Sequence, residues 1–289
     1  MTNWNDLLAG RPVVTDGAWG TQLQAQGLDS GECPDGWNLL YPERVEAVAR
    51  AYVEAGSRVI LTNTFRANRI SLEASGLADR AAEINRRGVE ISKFAPGHLV
   101  FASMGPTGKL LAAGEVAAAE VAEAFAAQAG ALAEAGADAI LVETMSELEE
   151  AEIAIAAARA TGLPVAASVV FDSGKNKDRT MMGATPEQAA ARLAEAGADI
   201  VGANCGRGIA GYVEICRRLR AATGRPIWIK ANAGMPELVD GRAAYRTTPE
   251  EFASFVPALV EAGASFIGGC CGTTPDFIRA VKEKLDQCA

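Results

Sequence analysis

The chain has 289 residues, 49% hydrophobic and 22% charged, a globular composition that excludes collagen, coiled coil and wholesale disorder. Its 27 Lys and Arg against 36 Asp and Glu give a formal charge of −9, which argues against nucleic-acid and anionic-membrane partners. No apolar run reaches the ~18 residues of a membrane span, and the start MTNWNDLLAGRP has no signal-peptide pattern, so a cytoplasmic protein is expected.

In chain order, the first apolar run covers 12–15 and ends at Asp16 in the segment Asp16-Gly17-Ala18-Trp19-Gly20. A helical stretch over 42–55 closes in Glu54-Ala55-Gly56, and a second run, 58–62, ends at Asn63. The third run, 99–104, follows His98; an Ala-rich helix over 115–135 then leads through Glu134-Ala135-Gly136 to a fourth, 139–143, ending at Glu143. A fifth run, 165–171, precedes a charged loop at 173–180. Glu195-Ala196-Gly197 introduces the sixth, 200–204, which runs into Cys205. A helix over 211–220 carries Cys216 as a packing residue, and the seventh run, 227–231, ends at Asn232. Glu261-Ala262-Gly263 introduces the eighth, 265–269, followed by Cys270 and Cys271.

Glycine directly after a helix suits the left-handed C-terminal cap. Short apolar runs without alternation suit strands buried on both faces. Eight apolar runs with helical stretches between most of them, four of the runs introduced by Glu-Ala-Gly, and no linker or composition break predict an α/β fold, a single (β/α)8 TIM barrel over residues 1–289. A doubly wound open sheet is the competitor, but its Gly-rich phosphate fingerprint is missing from the first turn.

Active-site residues of such barrels sit at the C-terminal ends of the strands. Those ends carry Asp16, Asn63, Glu143, Asn204, Cys205, Asn232, Cys270 and Cys271. Three cysteines meeting at one rim make a soft metal site with a position left open, as in catalytic zinc centres. A vicinal disulfide or buried packing cysteines are the alternatives. Such a centre is a poor activator of water and suits the binding of an incoming thiol as its thiolate. The one histidine, His98, falls at the wrong end of a strand, which disfavours His-ligated hydrolases and Ser-His-Asp chemistry. Cys33 lies in a loop that could line the rim, and Cys288 is incidental at the chain end.

At these residues the sequence resembles the homocysteine S-methyltransferase family over nearly its whole length. The matching segments are Asp16-Gly17-Ala18-Trp19-Gly20-Thr21, Leu61-Thr62-Asn63-Thr64-Phe65, Glu143-Thr144, Gly202-Ala203-Asn204-Cys205, Asn232-Ala233-Gly234 and Gly268-Gly269-Cys270-Cys271-Gly272-Thr273-Thr274-Pro275. The resemblance implies a Zn2+ held by Cys205, Cys270 and Cys271, with Asn232 as an oxygen ligand when substrate is absent. It further implies that homocysteine takes the open position and that Asp16 and Glu143 hold its amino group. The backbone around Gly17 is a candidate for the substrate carboxylate, a plain turn being the alternative, and Asn63 is a further substrate-side candidate.

The expected reaction is methyl transfer to homocysteine, forming methionine. The donor is an onium compound such as glycine betaine or S-methylmethionine, or else a separate methyl-corrinoid protein. Trp19 and Phe65 are candidate walls for an onium group, Arg66 a candidate partner for a donor carboxylate, and the 173–180 loop a candidate gate. Rival readings are a phosphate-binding barrel lyase, a non-enzymatic zinc- or thiol-presenting module, and a different acceptor thiol or selenol. A homo-oligomer is the prior for a soluble enzyme of this type.

Overall fold

The computed structural model describes residue 7 and residues 12–29, 31–94, 96–239 and 242–288. Its barrel strands are β1 (Val13–Val14), β2 (Val59–Leu61), β3 (Leu99–Met104), β4 (Ala139–Met145), β5 (Val165–Val169), β6 (Ile200–Gly208) and β7 (Ile227–Asn232). A hairpin of β8 (Glu237–Val239) and β9 (Arg242–Ala244) follows, and β10 (Ala264–Gly269) completes the set. The eight-stranded sheet runs β2-β3-β4-β5-β6-β7-β10-β1, and every neighbouring pair is parallel. A bridge between Thr15 and Val59 and the Arg58 N–H bond to the Val14 carbonyl (2.9 Å) bring its two edges together. The predicted barrel is therefore the observed one. Among the described residues no helix is long and apolar enough to cross a membrane.

The glycine of each Glu-Ala-Gly repeat has positive φ, from 88° at Gly136 to 105° at Gly56, so the repeat is a helix stop that turns the chain into the next strand. Side chains then alternate along each strand. Val100, Ile140, Val142, Val165, Val201, Ile229 and Ile267 face outward into the core shared with the helices. Phe101, Leu141, Ala166, Ile200, Trp228 and Phe266 face inward and form a second core. The Trp228 ring lies 5.7 Å from that of Phe101 and 5.3 Å from that of Phe266, closing the lower barrel with an apolar plug. Two or four residues further along the same strands stand Ser103, Glu143, Ser168, Asn204, Lys230 and Cys270. The inward layer thus turns from apolar to polar on approaching the mouth.

The element limits shift in places. The fifth strand stops at Val169, the sixth continues to Gly208, and the first keeps only Val13–Val14 as regular strand. The β8–β9 hairpin was not expected from the sequence. Its strands are three residues long, too short for alternation to register.

Candidate active site

Alternation from Val201 and Ala203 would point Cys205 outward, at the helices. Instead Cys205 adopts φ 62° and Gly206 φ 60°, and the β6–β7 register shifts between Cys205 and Gly208. A non-glycine residue in this left-handed region costs about 1–3 kcal/mol and persists only when its surroundings hold it. Here the Tyr212 hydroxyl donates to the Cys205 carbonyl at 2.7 Å. At the end of β10, Cys270 N–H bonds the Ala231 carbonyl (2.7 Å), Ala233 N–H bonds the Cys271 carbonyl (3.0 Å), and the chain turns at once. Gly272, at φ 81°, makes that turn against the Tyr245 ring, where an added Cβ would lie 2.3 Å from the ring.

These local turns bring the sulfurs of Cys205, Cys270 and Cys271 within 4.8 Å of one another, with Cys205 and Cys271 at 4.0 Å. Thiolates 2.3 Å from a tetrahedral ion lie about 3.8 Å apart, so the spacing fits. Asn232 donates from Nδ2 to the Gly206 carbonyl at 3.1 Å, while its buried Oδ1 has no hydrogen-bond partner among the described residues. A soft thiol set beside an unpartnered amide oxygen is the donor chemistry that a zinc ion takes. Hydrogen bonds from Cys270 and Cys271 bring the Cys205 thiol down to about 3. Cys271 is pushed up to about 12, chiefly through its bond to Cys205.

Below the sulfurs lies the polar layer. Glu143 is buried and accepts from Ser103 Oγ at 2.5 Å and from Asn204 Nδ2 at 3.3 Å. Burial raises its pKa, against the lowering influence of Lys230 and Ser103. Asn204 Oδ1 accepts from Thr144 N–H (2.9 Å) and Ser168 Oγ (2.7 Å). Its Nδ2 reaches Thr144 Oγ1 (2.7 Å) and approaches Cys270 Sγ (3.9 Å). Asp16 is fully buried and forms an ion pair with Lys230. It also accepts from Trp19 Nε1 (2.7 Å) and Leu61 N–H (2.8 Å).

The other candidate residues have structural partners of their own. Asn63 spends its amide group on the Pro34 carbonyl (2.7 Å) and Asn38 Oδ1 (3.0 Å), so its amide braces a turn. Gly17 is required because a Cβ there would lie 2.7 Å from Tyr52. The Ala18 amide beside it is already given to Thr273 Oγ1 at 3.1 Å. The Phe65 ring lies against Gly105, which donates to the Phe65 carbonyl at 2.8 Å. Arg66 is exposed, and its N–H holds Asp35 Oδ1 at 2.9 Å. Arg207 ties the 173–180 loop through the carbonyls of Asn176 (2.9 Å) and Lys177 (3.2 Å), and Arg218 ties it through Asp178 (2.7 Å). Cys33 packs beside the small Ala67, Leu72 and Ile84 cluster, and Cys216 is a buried packing thiol. His98 bonds the Ser92 carbonyl at 2.8 Å, at the strand's starting end. Lys230, Ser103, Ser168 and Tyr245 were missed; period-two spacing from the apolar plug would have found the first three. Beside Cys205 opens a cavity of about 570 Å³ lined in part by Gly206, Arg207, Met235, Glu251 and Phe255.

A model of the family described as Homocysteine S-methyltransferase matches residues 13–285. Methionine synthase of Mycobacterium leprae (strain TN) is 33% identical over 99% of this chain, which spans only 25% of that protein. Homocysteine S-methyltransferase 3 of Zea mays is 29% identical over 99% of this chain and 94% of its own length. The metallated form of the homocysteine methyltransferase MmuM from Escherichia coli has a TM-score of 0.80 and 24% identity, covering 96% of this chain and 98% of that one, a likeness of fold. The family match runs from the first residue of β1 into the last helix, and the chain belongs to the homocysteine S-methyltransferase family.

Proposed function

We propose that this chain transfers a methyl group to the thiol of homocysteine, giving methionine, at a zinc centre held by Cys205, Cys270 and Cys271. The observation that carries the reading is the sulfur triad beside the unpartnered Asn232 Oδ1, sharing the barrel mouth with buried Glu143. A bound zinc would supply the positive charge that keeps the acceptor thiol deprotonated at neutral pH. Asn232 is suited to the fourth position until substrate arrives. Glu143 offers a carboxylate to the substrate ammonium in a buried setting where such a bond is strong.

The donor that fits best is a small onium compound. Its methyl–heteroatom bond breaks as the new methyl–sulfur bond forms, and the electron pair leaves with the heteroatom as a neutral molecule. No acid catalyst is then needed. The Trp19 ring, fixed by its Nε1 bond to Asp16, supports this as a cation-binding face worth about 0.5–2 kcal/mol. A second reading, with a separate methyl-corrinoid protein as donor, is favoured by one fact: the chain spans about a quarter of the methionine synthases it matches.

The test is to incubate the zinc-loaded chain with homocysteine and glycine betaine, S-methylmethionine or methylcobalamin, and to measure methionine. Methionine from one onium compound is expected. Turnover of methylcobalamin alone would favour the corrinoid reading, and no methionine from any donor would count against methyl transfer by this chain alone.

A further inference from the structure

The three sulfurs are not held alike. Cys270 and Cys271 are fixed by the barrel itself. The Cys270 N–H bonds the Ala231 carbonyl of β7, and the Cys270 carbonyl accepts from Thr273 N–H (3.1 Å) and Thr273 Oγ1 (2.7 Å). The Cys271 carbonyl accepts from Ala233 N–H, and Gly269, directly before the pair, donates to the Asp16 carbonyl past the end of β1 at 3.0 Å. Cys205 has no such frame. It pairs with Ala231, but the next paired residue of its strand is Gly208. Its left-handed φ of 62° also opposes the outward direction that alternation gives it. What holds its carbonyl is the Tyr212 hydroxyl, seven residues further on. Tyr212 is 0% exposed and opens the helix Tyr212–Ala222, whose Ile215, Cys216 and Leu219 are buried with it. The hydroxyl is therefore presented by a seated helix. Burial, and then the charges of Cys205 and Cys270, hold its pKa well above the usual phenol range, so it stays a donor. The chain between the two ends is tightly folded: a Cβ on Gly208 would lie 3.2 Å from Gly234 Cα, and one on Gly211 would collide with Arg207. Residues 205–212 thus form a clip closed by one hydrogen bond.

We infer that Tyr212 is the positioning residue that makes Cys205 a metal ligand, and that Cys205 is the conditional member of the triad while Cys270 and Cys271 are its fixed pair. A left-handed non-glycine residue persists only where its surroundings hold it. Without the Tyr212 hydroxyl the Cys205 turn relaxes towards regular strand, which carries its sulfur away from the other two and leaves a two-thiolate site. The inference rests on the proposed metal centre, not on the identity of the methyl donor or acceptor.

The test titrates the metal-free chain with cobalt(II), whose thiolate charge-transfer absorbance grows with the number of sulfur ligands. The wild type is expected to show the intensity of three thiolates. Tyr212→Phe, checked for folding by circular dichroism, should give about two-thirds of that absorbance per bound cobalt and bind it roughly tenfold more weakly. Cys205→Ser should show the same reduced intensity, whereas Cys271→Ser should bind no cobalt at that concentration. A purely structural role for Tyr212 would lower Tm and leave the absorbance per cobalt unchanged. Wild-type absorbance in folded Tyr212→Phe would therefore overturn the inference, as would Cys271→Ser holding cobalt as tightly as Cys205→Ser. If Tyr212→Phe does not fold, Gly206→Ala decides in its place. It strains the same left-handed turn, its Cβ lying 3.1 Å from the Phe171 carbonyl, and the same two results count for and against. A wild type that binds no cobalt would instead sink the metal reading on which the inference rests.

Discussion

The chemistry of the mouth is set by single side chains whose loss has separable effects. Cys271→Ser should lose bound zinc and methionine formation together, measured by metal analysis and product assay on one preparation; full activity without metal would end the zinc proposal. Asn204→Ala acts differently. It removes the partner of Glu143, Ser168 and the Thr144 amide at once, leaving buried polar groups unpaired at about 1–3 kcal/mol each. A fall in Tm of several degrees with metal content preserved is expected, read by calorimetry and metal analysis. The thiols and carboxylates of this layer were legible in the sequence because they end apolar runs, which for Glu143 and the three cysteines are introduced by a repeated glycine signal. Lys230 is legible only by alternation. Ile229 and Ala231 flank it, both apolar, so in a strand buried on both faces it is marked as inward only once Trp228 and Asn232 are counted on the same side. Its partner Asp16 lies 214 residues away.

At the scale of elements, the site depends on two places where regular strand is abandoned. β6 breaks its alternation at Cys205, and β10 ends in the turn at Gly272. Alternation counted from the apolar run predicts the wrong face for Cys205, which is why the sequence could name the three thiols but not how they converge. Gly272→Ala should be harmful on two counts: the backbone is left-handed there, and the new methyl would collide with Tyr245. A loss of ~1–3 kcal/mol in stability is expected, with zinc released at a lower chelator concentration than in the wild type. Unchanged chelator sensitivity would mean that the turn does not set the sulfur geometry. Tyr245 follows β9 directly, so the β8–β9 hairpin, absent from the sequence reading, delivers the ring that braces this turn.

At the scale of the whole molecule, a buried acid outside the sulfur triad bears on stability. Asp35 accepts the Arg66 N–H bond and neighbours Cys33, and burial raises its pKa from 3.8 to about 6. The folded chain therefore binds this proton more tightly than the unfolded one. The stability from that proton is fully present below pH 3.8 and is lost as the pH rises through about 6. Asp35→Asn, which keeps an acceptor for Arg66, should raise stability at pH 7.5 by about 2–3 kcal/mol, with the advantage gone near pH 4. Denaturant melts of both proteins across that range test it, and parallel curves would show that Asp35 titrates normally. The barrel itself was legible because its eight runs are spaced by helical stretches, every second run following the same stop signal. Its closure has a further consequence. β10 is inserted between β7 and β1, so the stave synthesised last seals the cylinder, and it leads directly into two of the three sulfurs. A nascent chain on the ribosome holds only Cys205 of the three until that stave emerges, and on the proposed zinc site metal capture would then report that the cylinder has closed.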